Sequence, residues 1–326
     1  MDKRITIQDI ANLTGLAKST ISRALNNDSK ISETTRALVK KVAKDNHYHP
    51  NLVARSIATH QSRLIGIIIP AFENQFFSRI LDAIQSCAAN QHYQLIIATT
   101  NEQPHREIQA VKAMRNQMVA GIIIASTGKI QNYHQLIGSL PVVFIDRVVN
   151  ARESNHFNSI LVDNINGSYN VVNQMLANGA ERIGVIANNL FQKKSNRLIG
   201  YQKALVDHNI PFDSDIVKYA SQDGKDAAPL ASQLLINQAC DGIFATDNTI
   251  LKAILRQLTT QQVANLQVGT FDDNSYLSLI GMPIIANQQP ATEMGIEAFK
   301  ILSNQISHPH QPVKHIKLKT TIKNYT

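Results

Sequence analysis

Near its start the chain repeats apolar residues at helical spacing. Ile7, Ile10, Ala11 and Leu13 follow Thr6, whose hydroxyl can cap free amides, and Asp9 adds an acid in the first turn. Thr14-Gly15-Leu16 breaks this helix where glycine can take a left-handed turn conformation. A second short helix is predicted over about 18–26 with Ile21, Ala24 and Leu25 inward. Ser32 caps a third, over about 33–46, with Leu38, Val39 and Val42 inward. Small Ala11, turn-forming Gly15 and apolar Leu16 and Ile21 stand at the offsets where two helices cross through a tight turn, so the three form a helix-turn-helix head.

From residue 64 the period changes. Runs 64–69, 95–99, 121–124 and 142–145 are short, β-rich and apolar, with helical stretches predicted over 76–91 and 104–117. After Ser159 the rhythm restarts, with strands over 183–187, 216–219, 243–246 and 268–271. Helices near 165–178, 197–208, 225–237 and 248–259 separate them. Such alternation predicts an α/β body of two doubly wound parallel sheets, helices on both faces, with a ligand cleft between strand ends.

Composition narrows the class. Of 326 residues, 44% are hydrophobic and 17% charged, ordinary for a globular chain with a full core. Cys87 and Cys240 are too few for a disulfide framework or a thiolate zinc site, which fits a reducing cytosol. No apolar run approaches membrane length, and the polar start has no apolar signal core, so a cytoplasmic protein is expected. Residues 1–63 hold eleven Lys or Arg against five Asp or Glu, so most of the chain's +8 net charge sits in the head. That points to a polyanion.

The second helix is polar on its outer face, and a helix of this kind lies in the major groove with its N-terminal residues at base edges. Lys18, Ser19 and Arg23 are the candidates for base contact, Arg23 by a bidentate pair with guanine. Thr6, Thr20 and Asn26 are better placed for phosphates, which fix register. Leu52 to Thr59 is long enough for two helical turns, a length that is marginal in water. It reads either as a plain linker or as a segment that folds on DNA, with Ile57 as a minor-groove wedge and Arg55 beside it.

Ile7-Gln8-Asp9-Ile10-Ala11, Ser19-Thr20-Ile21-Ser22-Arg23-Ala24-Leu25-Asn26, Tyr48-His49-Pro50-Asn51 and Ala54-Arg55-Ser56 resemble the signature of the lactose/galactose/purine repressor family (LacI/GalR). Ile145-Asp146-Arg147, Val162-Asp163-Asn164, Arg197 to Tyr201, Phe271-Asp272-Asp273 and Gln289-Pro290 continue it in family order. The resemblance implies a hinge helix at the linker, with Ile57 in place of the family's inserted leucine, and a periplasmic-binding-protein-like core. It also implies that a last helix, about 290–306, returns to the first lobe. The expected organisation is therefore 1–50 head, 51–63 hinge and linker, and 64–326 effector-binding and dimerisation core. Within the core, lobe 1 takes about 64–161 plus 291–319, and lobe 2 takes 162–290 plus 320–326.

A cleft that reads polyhydroxylated ligands needs carboxylates for vicinal hydroxyls, an Arg or Asn donor and an aromatic face. Asp146, Asp247 and Asp272 each follow a predicted strand, Arg197 opens a helix, and Phe76 and Phe77 lie just past the first strand. The family's ligand positions match Arg197 and Asp272 most directly, with Asp146, Asn74, Phe77, Phe191 and Asp247 carried over more loosely, while Asp273 is expected to cap or brace its loop. Lys193-Lys194 between Phe191 and Arg197 would favour an anionic ligand, though lysines are usually solvated. Catalysis is not expected: Gly128-Lys129 lacks the P-loop pattern, and no dinucleotide turn, nucleophile elbow or His-Glu-x-x-His occurs. His47 and His49 read as structural or phosphate-facing, so neither metal nor cofactor is expected.

The sequence therefore predicts a DNA-binding transcriptional regulator, most simply a repressor of a carbohydrate-use operon. Its expected partners are a pseudo-palindromic double-stranded operator, a sugar, sugar acid or sugar phosphate, and a second copy of itself. A homodimer is expected because a two-helix reader covers both half-sites as a two-fold pair and 314–326 shows no heptads. The rival reading is a cytosolic small-molecule binding protein without operator specificity.

Overall fold

The computed structural model describes residues 5–48, 62–147, 149, 152–188, 195–256 and 266–326. It divides into two units, at 1–62 and 63–326.

In the first unit, α1 (Ile7–Thr14), α2 (Lys18–Leu25) and α3 (Glu33–Asp45) close on a small core of Ile10, Ala11, Ile21, Ala24 and Val39. A full capping box starts α1. The Thr6 N–H donates to Asp9 Oδ2 at 2.8 Å, and the Asp9 N–H donates to Thr6 Oγ1 at 3.3 Å. Gly15 ends the helix at φ +68°, the left-handed turn its lack of a Cβ permits. Leu38 is not an inward residue as expected: it is exposed, and Val39 and Ala43 make the contact instead. The inward stripe of α3 runs through Val39, Val42 and Ala43, and Leu38 lies one residue, about 100° of helix, off it. Leu13 is likewise exposed at the end of α1.

The second unit carries two six-stranded sheets. The first has the order β11-β5-β4-β3-β1-β2 and is parallel throughout. Its strands are β1 (Leu64–Ile69), β2 (Gln94–Thr99), β3 (Gly121–Ile124), β4 (Val142–Ile145), β5 (Asn158–Val162) and β11 (His315–Leu318). The second has the order β12-β10-β9-β8-β6-β7. It comprises β6 (Ile183–Asn188), β7 (Val217–Ala220), β8 (Gly242–Ala245), β9 (Gln267–Thr270), β10 (Ile284–Gln288) and β12 (Thr321–Tyr325). This sheet is parallel except at its edge, where β12 runs antiparallel to β10.

Helices cover the sheets because their central strands are apolar on both faces: Ile65, Ile67, Ile68 and Ile69 are all fully buried. Burying each such side chain stabilises the fold by about 1.5–3 kcal/mol. On the first lobe lie α4 (Gln75–Asn90), α5 (Pro104–Asn116), the short α6 (Tyr133–Ile137) and α11 (Ala291–Ser307), the last packed along α4. On the second lie α7 (Asn164–Ala177), α8 (Asn196–Asp207), α9 (Ala227–Ile236) and α10 (Asn248–Leu255). The chain passes between lobes three times: from β5 to α7, from β10 to α11, and from β11 to β12. At the first passage Asp163 caps α7 and pairs with Lys317 of β11 at 2.9 Å.

One close approach sets the position of α8. A Cβ on Gly200 would stand 2.2 Å from the Ile165 carbonyl oxygen and 2.8 Å from the Ser168 Cβ. Only glycine lets α8 lie this near α7, and Arg197 sits one turn earlier on the same helix.

Candidate functional site

On the head, the outward face of α2 presents Lys18, Ser19 and Arg23, all exposed, with Thr20 and Ser22 half-buried at its margin. Arg23 Nε lies 3.9 Å from Asp28 Oδ2, a loose pair that solvent screens. Asn26 is exposed at the end of α2. The Thr6 hydroxyl is already committed, donating to Asp9 Oδ2 at 2.7 Å within the capping box. The hinge residues Arg55 and Ile57 lie outside the described residues, as do Phe191, Lys193, Lys194 and His49.

In the body, the carboxyl ends of the strands bring together groups that the sequence scatters. Asp146 follows β4 of the first lobe, while Asp247 follows β8 and Asp272 follows β9 of the second. Asp272 is buried: its Oδ2 accepts the Asn248 N–H at 2.9 Å, and its Oδ1 accepts the Gln289 side-chain amide at 2.7 Å. Asp247 caps α10, accepting the Ile250 N–H at 3.0 Å. Arg197 lays its guanidinium 3.8 Å from the centre of the Phe271 ring and donates to the Thr246 carbonyl.

These groups act on one another electrostatically. Burial pushes the Asp146 carboxyl above its ordinary range; Arg147 and Arg197 pull it back, while Glu102 and Asp272 push it further. Asp247 is raised too, chiefly by burial and also by Asp272, against the Ile250 amide and Arg197. Asp146 therefore senses Arg197 and Asp272 of the opposite lobe. Its backbone is left-handed at φ +66°, as is that of Glu102 at φ +60°, and such strain concentrates where a side chain must be aimed. Arg147 grips Glu102 with two bonds of 2.6 and 2.8 Å and reaches Asp146 at 3.3 Å. Wholly buried Glu107 of α5 accepts the Thr127 N–H at 2.8 Å and the Tyr133 hydroxyl, holding the loop after β3 at the same edge.

Asn74 caps α4 by accepting the Phe76 N–H at 3.0 Å. Together with Phe76, Arg79, Asp272, Asn274 and Gln289 it lines a recess of about 10 Å³ between the lobes, room for about one water. Phe76 lines this recess; Phe77, the aromatic expected in the cleft, is not among its lining residues, and both rings belong to one buried core cluster. Asp273 braces the loop as expected. It accepts from Gln288 at 3.0 Å, Arg79 at 3.3 Å and the Tyr325 hydroxyl. Burial would raise its carboxyl, but these hydrogen bonds and Lys323 outweigh it and hold the group below the ordinary range. Gln75 and Ser275 add two further inter-lobe bonds, of 2.7 and 3.0 Å.

Sequence reasoning left Gln289, Glu102 and Arg79 out of the site. Gln289 carried a signal, because it precedes the proline where the chain crosses between lobes. Glu102 and Arg79 carried none: one is a left-handed loop residue and the other an ordinary helix-surface arginine. Among the described residues no cluster of His, Cys, Asp or Glu is arranged to hold a metal ion, and no helix is long and apolar enough to cross a membrane.

A helix-turn-helix unit joined to a two-lobed cleft defines a class, the ligand-responsive regulators built on a periplasmic-binding-protein fold. Residues 62–326 match the family of periplasmic binding proteins and sugar-binding domains of the LacI family, and residues 6–51 match the bacterial regulatory proteins of the lacI family. The chain belongs to the LacI family of bacterial regulators. It is 29% identical to the HTH-type transcriptional regulator RegA of Clostridium acetobutylicum, over 97% of each chain. It is 28% identical to the ribose operon repressor of Bacillus subtilis, over 98% of this chain and 99% of that one. Among solved structures, the lac repressor dimer bound to operator and the anti-inducer ONPF superposes with a TM-score of 0.83 at 22% identity, covering 99% of each chain. The transcriptional regulator CelR–cellobiose complex does so at 0.71 and 22%, covering 98% of each. At these identities the two structures speak for the fold.

Proposed function

We propose that the protein is a sequence-specific transcriptional repressor of a carbohydrate-use operon, its operator affinity switched by a small sugar-like effector held between the lobes. Residues 1–50 read DNA, 51–63 form the hinge, and 64–326 bind effector and dimerise, with lobe 1 at 64–161 plus 291–319 and lobe 2 at 162–290 plus 320–326. The observation that carries this reading is the meeting of Asp146, Asp247, Asp272 and Arg197, contributed by both lobes, in a chain whose head exposes the basic, polar face of α2. The names of similar proteins, a ribose operon repressor and a cellobiose complex among them, support it.

Lys18, Ser19 and Arg23 contact bases, while Thr20 and Asn26 contact phosphates. Thr6, at the start of α1, is also placed at a phosphate. Arg55 and Ile57 act in the minor groove. In the cleft, Arg197, Asp272, Asp146 and Asp247 take the ligand's polar groups, Asn74 holds the start of α4, and Phe76 and Phe191 supply aromatic faces. The protein acts as a cytoplasmic homodimer on a pseudo-palindromic operator, with no catalytic step and no membrane partner. Effector binding changes how the two lobes sit against each other, and operator affinity with it. A coupling of about 1–3 kcal/mol gives a useful switch.

The test is fluorescence anisotropy of the full chain on its own upstream DNA at two salt concentrations, with sugars added. Competitor-resistant binding relieved by one sugar is expected. Binding that is tightened by a sugar would reverse the sign of the switch, and absence of specific binding would leave a ligand receptor without operator function.

A further inference from the structure

Asp273 carries more partners than the bracing of one loop requires. It follows β9, and its side chain is only 2% exposed. Arg79 of α4 reaches it from the first lobe at 3.3 Å. Three more partners come from the second lobe's own sheet. The Gln288 amide donates from the end of β10 at 3.0 Å. From β12 come the Tyr325 hydroxyl and, at 3.7 Å, the Lys323 ammonium. Lys323 also lies 4.6 Å from the centre of the Tyr325 ring, so these two side chains of the last strand hold each other beside the carboxylate. One buried charge therefore faces two cations, one from each lobe.

The two cations differ in what happens when the lobes part. Arg79 leaves with the first lobe, while Gln288, Lys323 and Tyr325 move with Asp273. A buried carboxylate stripped of its only counter-charge would oppose that step strongly, and an Arg79–Asp273 bridge standing alone would lock the lobes together. With Lys323 and Tyr325 in place, the carboxylate stays neutralised and hydrogen-bonded after Arg79 has gone. The cost of breaking the bridge then falls toward that of a surface pair, because Arg79, itself 38% exposed, returns readily to water.

We propose that β12 is the release element of an inter-lobe latch: Lys323 and Tyr325 keep Asp273 satisfied when Arg79 withdraws, and so make the bridge reversible. Both are positioning residues that act by holding a charge. The inference concerns the movement of the lobes and goes beyond the question of what binds between them.

Hydrogen exchange on the full chain, resolved at single amides by nuclear magnetic resonance, tests it without a ligand. The Ser275 N–H donates to Gln75 of the first lobe at 3.0 Å, so its exchange follows lobe opening. The Thr246 N–H, bonded to the Ile186 carbonyl at 3.0 Å inside the second lobe, is the reference. Arg79→Gln is expected to speed exchange at Ser275 about threefold, the loss of one partly exposed ion pair, and to leave the reference unchanged. Lys323→Met is expected to slow it about three- to tenfold, because Asp273 then depends on Arg79. Lys323→Arg, which keeps the charge, should restore the original rate, and adding Arg79→Gln to Lys323→Met should abolish the slowing. Tyr325→Phe, with the charge left in place, should slow Ser275 less than Lys323→Met does. A strand that merely braces the loop gives the opposite sign. Faster or unchanged exchange at Ser275 in Lys323→Met would overturn the proposal, as would equal speeding of Ser275 and Thr246, the mark of a second lobe loosened as a whole.

Discussion

On the head, Arg23 combines exposure with only a 3.9 Å pairing to Asp28, so its guanidinium is available to a base edge at small cost. Replacing it by Ala is expected to cost about 1–3 kcal/mol of discrimination between operator and scrambled DNA while non-specific binding persists. Competition anisotropy measures this, and an unchanged preference would remove α2 from the role of reader. In the cleft the corresponding residue is Asp146. Its folded-state carboxyl titrates above the ordinary value of 3.8, so as pH falls it takes up its proton before an unperturbed aspartate would. Ionised Asp146 accepts charge-assisted bonds from ligand hydroxyls, so effector affinity should fall on acidification while pH is still above the ordinary carboxylate range. Asp146→Asn should flatten that dependence. The same raised value means that ionising Asp146 opposes folding, and its contribution to stability declines as pH rises through the window between the two values. Asp273 behaves oppositely: held below 3.8, it stabilises the fold at neutral pH and loses that contribution as pH falls through its lowered value.

At the scale of elements, α8 shows how a site is positioned by what is missing. With a Cβ the backbone of α7 would be 2.2 Å away, and a carbonyl cannot step aside as a flexible side chain can. Gly200→Ala should therefore lower stability by about 1–3 kcal/mol and displace Arg197 with its helix. Thermal unfolding reads the first effect and effector titration the second; normal values for both would mean that α8 has room to slide.

Elements with full apolar content were legible in the sequence. The bounds of β1, β3 and β4 coincide with their runs, and β2, β6, β8 and β9 fall within about one residue of theirs. Missed were β5, β10, β11, β12 and the one-turn α6. β5 opens on Asn158 and Ser159, and β11 and β12 interleave Lys with apolar residues at sheet edges, so none reads as a buried run. The three cleft aspartates were legible because strand ends in alternating folds face the crevice. That Phe76 rather than Phe77 lines the recess there was not, since adjacent helix residues differ by about 100° and the helix's rotation is set by packing against the sheet.

For the whole molecule the relevant quantity is the balance between open and closed lobes. Gln75–Ser275 and Arg79–Asp273 tie the lobes beside a recess of only about 10 Å³, so a ligand must first part them. Removing the ties with Gln75→Ala and Arg79→Ala together should lower the effector dissociation constant about three- to tenfold by removing the cost of parting the lobes. Calorimetry tests this, and an unchanged constant would mean that the ties persist in the bound form.

The three passages between lobes carry a consequence for how the chain is made. The first lobe's strands β1 to β4 leave the ribosome early, but its sheet lacks β11 until residue 318 has been added, after the whole of the second lobe's parallel sheet. The helix that covers α4 also arrives only after the second lobe's five parallel strands. Until β11 is made, the first lobe is an unfinished sheet with an open edge at β5. The order of translation runs against the order of assembly. A growing chain of this kind would lean on chaperones until β11 emerges, and a nascent chain stopped before His315 would be the most aggregation-prone form of the protein.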